Sequence, residues 1–188
     1  KIVPIILKNN TDESRIDELV KLLADSKEKI LVLASVDFSH YLPKNVADFH
    51  DELSLNVLES GSQTNLKELE VDSKPSLSAL LKYNKLKEAE NFTVFSHTNS
   101  AEIMGKDLAE TTSHIIGAYT SGLPAKKPAA SLQFFGDIML DRSVAKVMGT
   151  DGLDYLFANL RGREDRFFEG MHMLVANLEG PFAPTRVP

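Results

Sequence analysis

Three observations predict an α/β fold: a layered, mostly parallel sheet, followed by a second and incomplete α/β unit. Two runs, Ile2 to Leu7 and Ile30 to Ala34, have strand length and little polar alternation, as in parallel strands covered on both faces. The stretch between them is helical in period, with Ile16, Leu19, Val20 and Leu23 spaced by threes and fours. The composition then changes at Ser121-Gly122-Leu123-Pro124-Ala125-Lys126-Lys127-Pro128-Ala129-Ala130, whose prolines and glycine suit a linker better than an element interior. Residues 1–122 hold 13 basic and 19 acidic side chains, and residues 123–188 hold 8 of each. The expected division is therefore 1–121, a linker at 122–130, and 131–188.

Each element follows in order. Ile2 to Leu7 is expected as a buried strand, and Thr11 as the cap of a helix with Asp12 and Glu13 in its first turn. Ile30 to Ala34 forms the second strand. Val46, Phe49, Leu53 and Val57 stripe a second helix, and Leu77, Leu80 and Leu81 mark another after Pro75. Phe92 to Phe95 and His114 to Tyr119 read as β-runs. The second unit offers a strand at Leu132–Phe135, a helix at Arg142–Val147, a helical patch at Tyr155–Leu160 and a strand at Met173–Ala176. These are too few to bury a core alone, so more of that domain is expected past residue 188.

Composition removes several function classes. The chain of 188 residues is 43% hydrophobic and 26% charged, which excludes a wholly disordered or collagen-like protein. With no cysteine there is no disulfide framework, zinc ribbon or thiol nucleophile. A net charge of −6 lacks the basic stripe of a nucleic-acid binder. The apolar runs are too short to span a membrane. No signal peptide is visible, and a cytoplasmic setting is expected. The chain opens without Met inside an apolar run and reads as an excerpt of something longer.

The densest chemistry in the first unit is Ser35-Val36-Asp37-Phe38-Ser39-His40-Tyr41, directly after the second apolar run. In open α/β sheets, ligands gather beyond the carboxyl ends of strands. Asp37 and His40, three residues apart, are the candidate cleft residues, with Asp37 able to orient the imidazole. The plainer reading has Asp37 capping a turn and His40 as a satisfied polar side chain. His97 is a secondary candidate on a loop, without a ligand-type neighbour in sequence. His50 reads as a helix-flank residue and His114 as structural.

The Ser-x-Asp-Phe-Ser-His-Tyr string resembles the Memo family, known in bacterial genomes as AmmeMemoRadiSam system protein B. Ser96-His97-Thr98-Asn99-Ser100 and Ile115-Ile116-Gly117-Ala118-Tyr119 resemble that family's closing elements. The resemblance covers roughly residues 1–121, as the carboxyl-terminal half of the module. It implies a fold similar to class III extradiol dioxygenases, with Asp37 and His40 in a histidine-lined cleft that can hold a metal. The family's cysteine position falls on Val71 in Val71-Asp72-Ser73-Lys74-Pro75, so a full metal site is not expected from these residues alone.

In the second unit, the strand ending in Phe135-Gly136-Asp137-Ile138-Met139 presents a hard oxygen ligand at Asp137. Gly136 is expected to leave room for a metal or phosphate. Asn177-Leu178-Glu179-Gly180-Pro181 ends the next strand in the same manner. Paired carboxylates with an amide suit a divalent-metal phosphoesterase-like site, while two ordinary turns are the plainer reading. Together the strings resemble the start of the CapA family of capsule and poly-γ-glutamate synthesis proteins, which are similar to metallophosphatases. The resemblance implies Asp137 and Glu179 as ligands to a divalent metal of open identity, with Asn177 in support. Met139 stands where metallophosphatases carry His. Three functions remain open: a pocket module binding a small molecule or a protein, a metal-dependent phosphoesterase, and a scaffold with vestigial sites.

Overall fold

The structure is a computed structural model that describes residues 1–156 and 166–180. Its helices are α1 (Glu13–Ala24), α2 (Lys44–Ser60), α3 (Gln63–Leu66), α4 (Lys74–Leu86), α5 (Ser100–Met104) and α6 (Arg142–Asp151). The strands are β1 (His40–Leu42), β2 (Asn91–Asn99), β3 (Thr111–Thr120), β4 (Leu132–Met139) and β5 (Met173–Glu179). Short 3-10 turns lie at Asp154–Leu156 and Arg166–Phe168. The helical patch expected at Tyr155–Leu160 falls partly on the first of these turns, and its remainder lies outside the described residues.

The first sheet has the order β1-β3-β2, and both pairings are antiparallel. This corrects the expectation of a mostly parallel sheet. Only α5 and a short loop separate β2 from β3, and so short a return makes antiparallel neighbours. The parallel pairing is β4 with β5, in a separate two-stranded sheet.

The runs expected as the first two strands form no strand: no described backbone hydrogen bond ladders 2–7 or 31–36 to a neighbour, and Ile2 to Ile6 is exposed, not buried. The ladder stops just past them: Phe38 N–H donates to Ser113 O at 3.2 Å, and Ser113 N–H donates to Ser39 O at 2.8 Å. Burial alternates along 31–36, so Val32, Ala34 and Val36 turn inward while Leu31 and Leu33 are 93% and 84% exposed. A cavity of about 540 Å³ separates this segment from β3.

Helix starts differ slightly from expectation. Asp12, not Thr11, is the N-cap of α1, with an extended backbone and no side-chain cap bond. Pro75 sits in the first turn of α4, where its missing N–H costs nothing. Gly61 closes α2 at φ 66°, the left-handed cap that glycine adopts without a Cβ penalty.

The main core joins Leu53, Val57 and Leu58 of α2 with Leu77 and Leu81 of α4, Phe92 of β2 and Phe38. A smaller cluster packs Ile16 and Val20 of α1 on Ala79 and Tyr83 of α4. Lys82 ties the same two helices, with Nζ donating to Asp17 at 2.6 Å and also to Glu13. Among the described residues no helix is long and apolar enough to cross a membrane.

Candidate functional site

Helix α2 is amphipathic along its length as well as around its axis. Its second half buries Leu53, Val57 and Leu58 together with Ser54, but its first half buries His50 and Asp51 beside Ala47. Phe49, expected on the inner stripe, is instead 40% exposed. Leu53 and Val57 of the predicted stripe do face inward, whereas in the first half Ala47 and His50 are buried in place of Val46 and Phe49, so polar groups occupy part of the inner face.

The sheet presents matching polar groups. Register places Asn99 opposite Ser113, and Ser113 exchanges backbone bonds across to Phe38 and Ser39. Ser39, Asn99 and Ser113 are all fully buried. Ser39 Oγ donates to Asp51 Oδ1 at 2.7 Å, and His97 Nε2 donates to Asp51 Oδ2 at 2.7 Å. Asn99 Nδ2 donates to Asp48 Oδ1 at 3.1 Å. One buried carboxylate therefore holds a serine hydroxyl and an imidazole at once, while His97 keeps 25% of its side chain exposed. Such a carboxylate fixes the tautomer and orientation of its histidine and stabilises the imidazolium.

A second imidazole–carboxylate pair lies one residue back along α2. His50 Nδ1 donates to Glu70 Oε2 at 2.7 Å, with both side chains inaccessible to solvent. The other Glu70 oxygen accepts from the backbone N–H of His40 at 3.3 Å. His40 Nδ1 donates to Phe38 O at 3.1 Å and lies 3.9 Å from Glu70 Oε1. The backbone at Tyr41 is left-handed, φ 61°, and the ladder slips between His40 and Leu42. An aromatic residue held in that region costs of order 1–3 kcal/mol, and strain of this kind gathers at functional sites.

Asp37 and His40, read together from their spacing, have separate neighbours. The Asp37 carboxylate is more than half exposed and lies 3.7 Å from His114 Nδ1. Its backbone N–H donates to Asp72 Oδ1 at 3.1 Å, and Asp72 N–H donates back to Asp37 O at 3.0 Å. No hydrogen bond or ion pair joins Asp37 to His40 among the described residues. Val71, at the family's cysteine position, faces the apolar core. The placing of His50 on a helix flank is overturned, since it is among the most buried side chains. His97 lies within β2, not on a loop, and its carboxylate partner comes from a helix far away in sequence. Asp51 and Glu70 escaped the sequence reading altogether. The available signal was the placing of His50, Asp51 and Ser54 on the helix turns between Ala47 and Leu58, positions that a buried face needs filled.

In the second unit, parallel pairing sets Asp137 opposite Asn177 and Met139 opposite Glu179. Asn177 Nδ2 donates to Asp137 Oδ1 at 2.6 Å. All three polar residues are exposed. A Cβ added at Gly136 would meet no atom within 4 Å, so that side of the strand is open.

Two or more oriented imidazoles beneath a strand-end turn can hold a polar ligand and accept or return a proton. Among the described residues, no group of three or more His, Asp and Glu converges to hold a metal ion, so no step through a metal is derived. The fold and this site define an α/β protein with a buried network of polar side chains between helix and sheet. The profile of the family described as Memo-like protein matches residues 1–114, and the chain belongs to that family. Comparison with curated proteins and with solved structures gives no significant match.

Proposed function

We propose that the Memo-like unit is a small-ligand pocket, with His97 and His40 as its binding groups and no catalytic role of its own. The observation that carries this reading is the Asp51 carboxylate gripping His97 Nε2, which leaves Nδ1 of a partly exposed ring for a ligand. Protonated, that nitrogen donates to an anionic or carbonyl oxygen; neutral, it accepts. The protein is read as an AmmeMemoRadiSam system protein B-like chain working in the cytoplasm on a small polar molecule. Chemical-shift mapping of the histidine rings against a set of small carboxylates and amides tests this. Hits that move His97 and vanish in His97→Ala support it; hits that leave both His97 and His40 unmoved overturn it.

The Asn177–Asp137 bond at 2.6 Å favours a second reading for residues 131–188, a CapA-like, metallophosphatase-like start holding a divalent metal. Asp137 and Glu179 would be oxygen ligands and Asn177 their support, in the manner of hard-cation sites. Titration with Mn²⁺ should show weaker binding in Asp137→Ala and unchanged binding in His40→Ala. Equal binding in wild type and Asp137→Ala removes this reading.

A further inference from the structure

We infer that the segment after the first unit is an intramolecular latch that closes over His50, and that the linker is its strap, not a free tether. The strap is held by side chains of α2 and by Asn65 of α3. Asn56 Nδ2 donates to Lys127 O at 3.1 Å, and Asn56 Oδ1 accepts from Ala129 N–H at 2.9 Å, so one amide grips the chain as a neighbouring strand would. Asn65 Nδ2 donates to Ala129 O at 2.8 Å, and Lys126 Nζ pairs with Glu59 Oε2 at 2.7 Å. Beneath the strap lies a cavity of about 630 Å³, so these polar bonds rather than close packing hold it.

The strap leads to a lid. Ser131 N–H donates to His172 Nδ1 at 3.0 Å, and His172 N–H donates to Ser131 O at 2.9 Å, which joins strap and lid. Gly170 and Met171 are buried. A Cβ on Gly170 would lie 2.8 Å from His50 Cγ, and φ of 71° there already disfavours any other residue. Beneath it, His50 Nε2 is buried with no hydrogen-bond partner. An orphaned buried imidazole nitrogen is destabilising, because it has given up water without gaining a partner. It stays unsatisfied because the lid shuts out solvent, and opening the lid would give it water or a ligand.

Carbethoxylation of the full chain by diethyl pyrocarbonate, located by mass spectrometry, tests the latch. In the wild type, half-exposed His114 should react and His50 should not. Gly170→Val should force the lid away and raise labelling of His50 about tenfold relative to His114, the effect of an opening made easier by one factor of ten. Asn56→Ala with Asn65→Ala loosens the strap without adding bulk, and should raise His50 labelling in the same sense while circular dichroism is unchanged. This second variant decides the matter should Gly170→Val fail to fold. His50 reactive in the wild type, or equally protected in the folded strap variant, overturns the inference.

Discussion

Asp51, like Glu70, joins two partners of the polar network, since its one fully buried carboxylate satisfies both Ser39 and His97. Asp51→Ala strands both partners, and breaking a buried pair from one side costs several kcal/mol. The expected loss is about 3 kcal/mol by urea denaturation. A double-mutant cycle with His97→Ala should return a coupling near 1 kcal/mol or more, since the two groups touch. Additive losses would mean that the bond does not stabilise the fold. Exposed charges behave differently. Glu102 is held below its ordinary 4.5 by the hydrogen bond from Lys44, then by Thr98. Its contribution is whole above pH 4.5 and is lost as pH falls through the lowered folded value. The stability difference between wild type and Glu102→Gln should therefore be constant above that pH and shrink below it. A difference that grows in acid would contradict the assignment. Lys44 runs the other way: Asp48 first, then Glu102, holds it above 10.5, so its contribution is lost as alkaline pH rises through the folded value.

At the scale of elements, α4 and α2 carry the core. Leu77 is 2% exposed within it, and Leu77→Ala should cost about 3 kcal/mol by the same denaturant measurement. The strap predicts a protease result as well. Proline and glycine content alone marks residues 121–130 as the most cleavable internal stretch. The amide of Asn56 instead pins the backbone just past Lys126, so tryptic cleavage there should be slow and should quicken in Asn56→Ala. Equal rates would mean that the strap is free in solution. Helices were legible in sequence because a 3.6-residue period survives even when one position of the stripe is misplaced, as Phe49 was on α2. Direction and pairing of the strands were not legible: an apolar run such as Ile30 to Ala34 suggests a buried strand but not which edge it joins, and here it joins none, with Leu31 and Leu33 exposed. The imidazole–carboxylate pairs were hidden for a related reason. Asp51 with His97 and His50 with Glu70 are far apart in the chain, and only the packing of α2 on its neighbours unites them. Of the pair that spacing singled out, His40 takes part in the network and Asp37 does not.

Over the whole molecule, the sheets leave much apolar surface uncovered. Ile2, Ile6, Leu31 and Leu33 are each more than 80% exposed, on backbone without ladder partners. Unpaired, extended and apolar segments are templates for strand addition and self-association. Leu31→Lys with Leu33→Lys should lower the oligomeric fraction in analytical ultracentrifugation and the binding of an apolar dye, with little loss of stability because neither side chain is buried. Undiminished association would place the sticky surface elsewhere, with the exposed Phe134 and Met173 as the next candidates.

The seat of Gly170 on His50 also orders events in time. Chains are made from the amino terminus, and domains fold as they emerge. His50 and Glu70 leave the ribosome well before Gly170 exists. During that interval the pair can form, backed by α2 and the Phe38–His40 turn, while its outer side faces open water. Gly170 arrives later and covers a pair already formed. A group that reaches His50 Nε2 without displacing the lid must therefore enter during synthesis. For such a group, occupancy of the finished protein is set by what is present at translation, not by what is added to the purified chain.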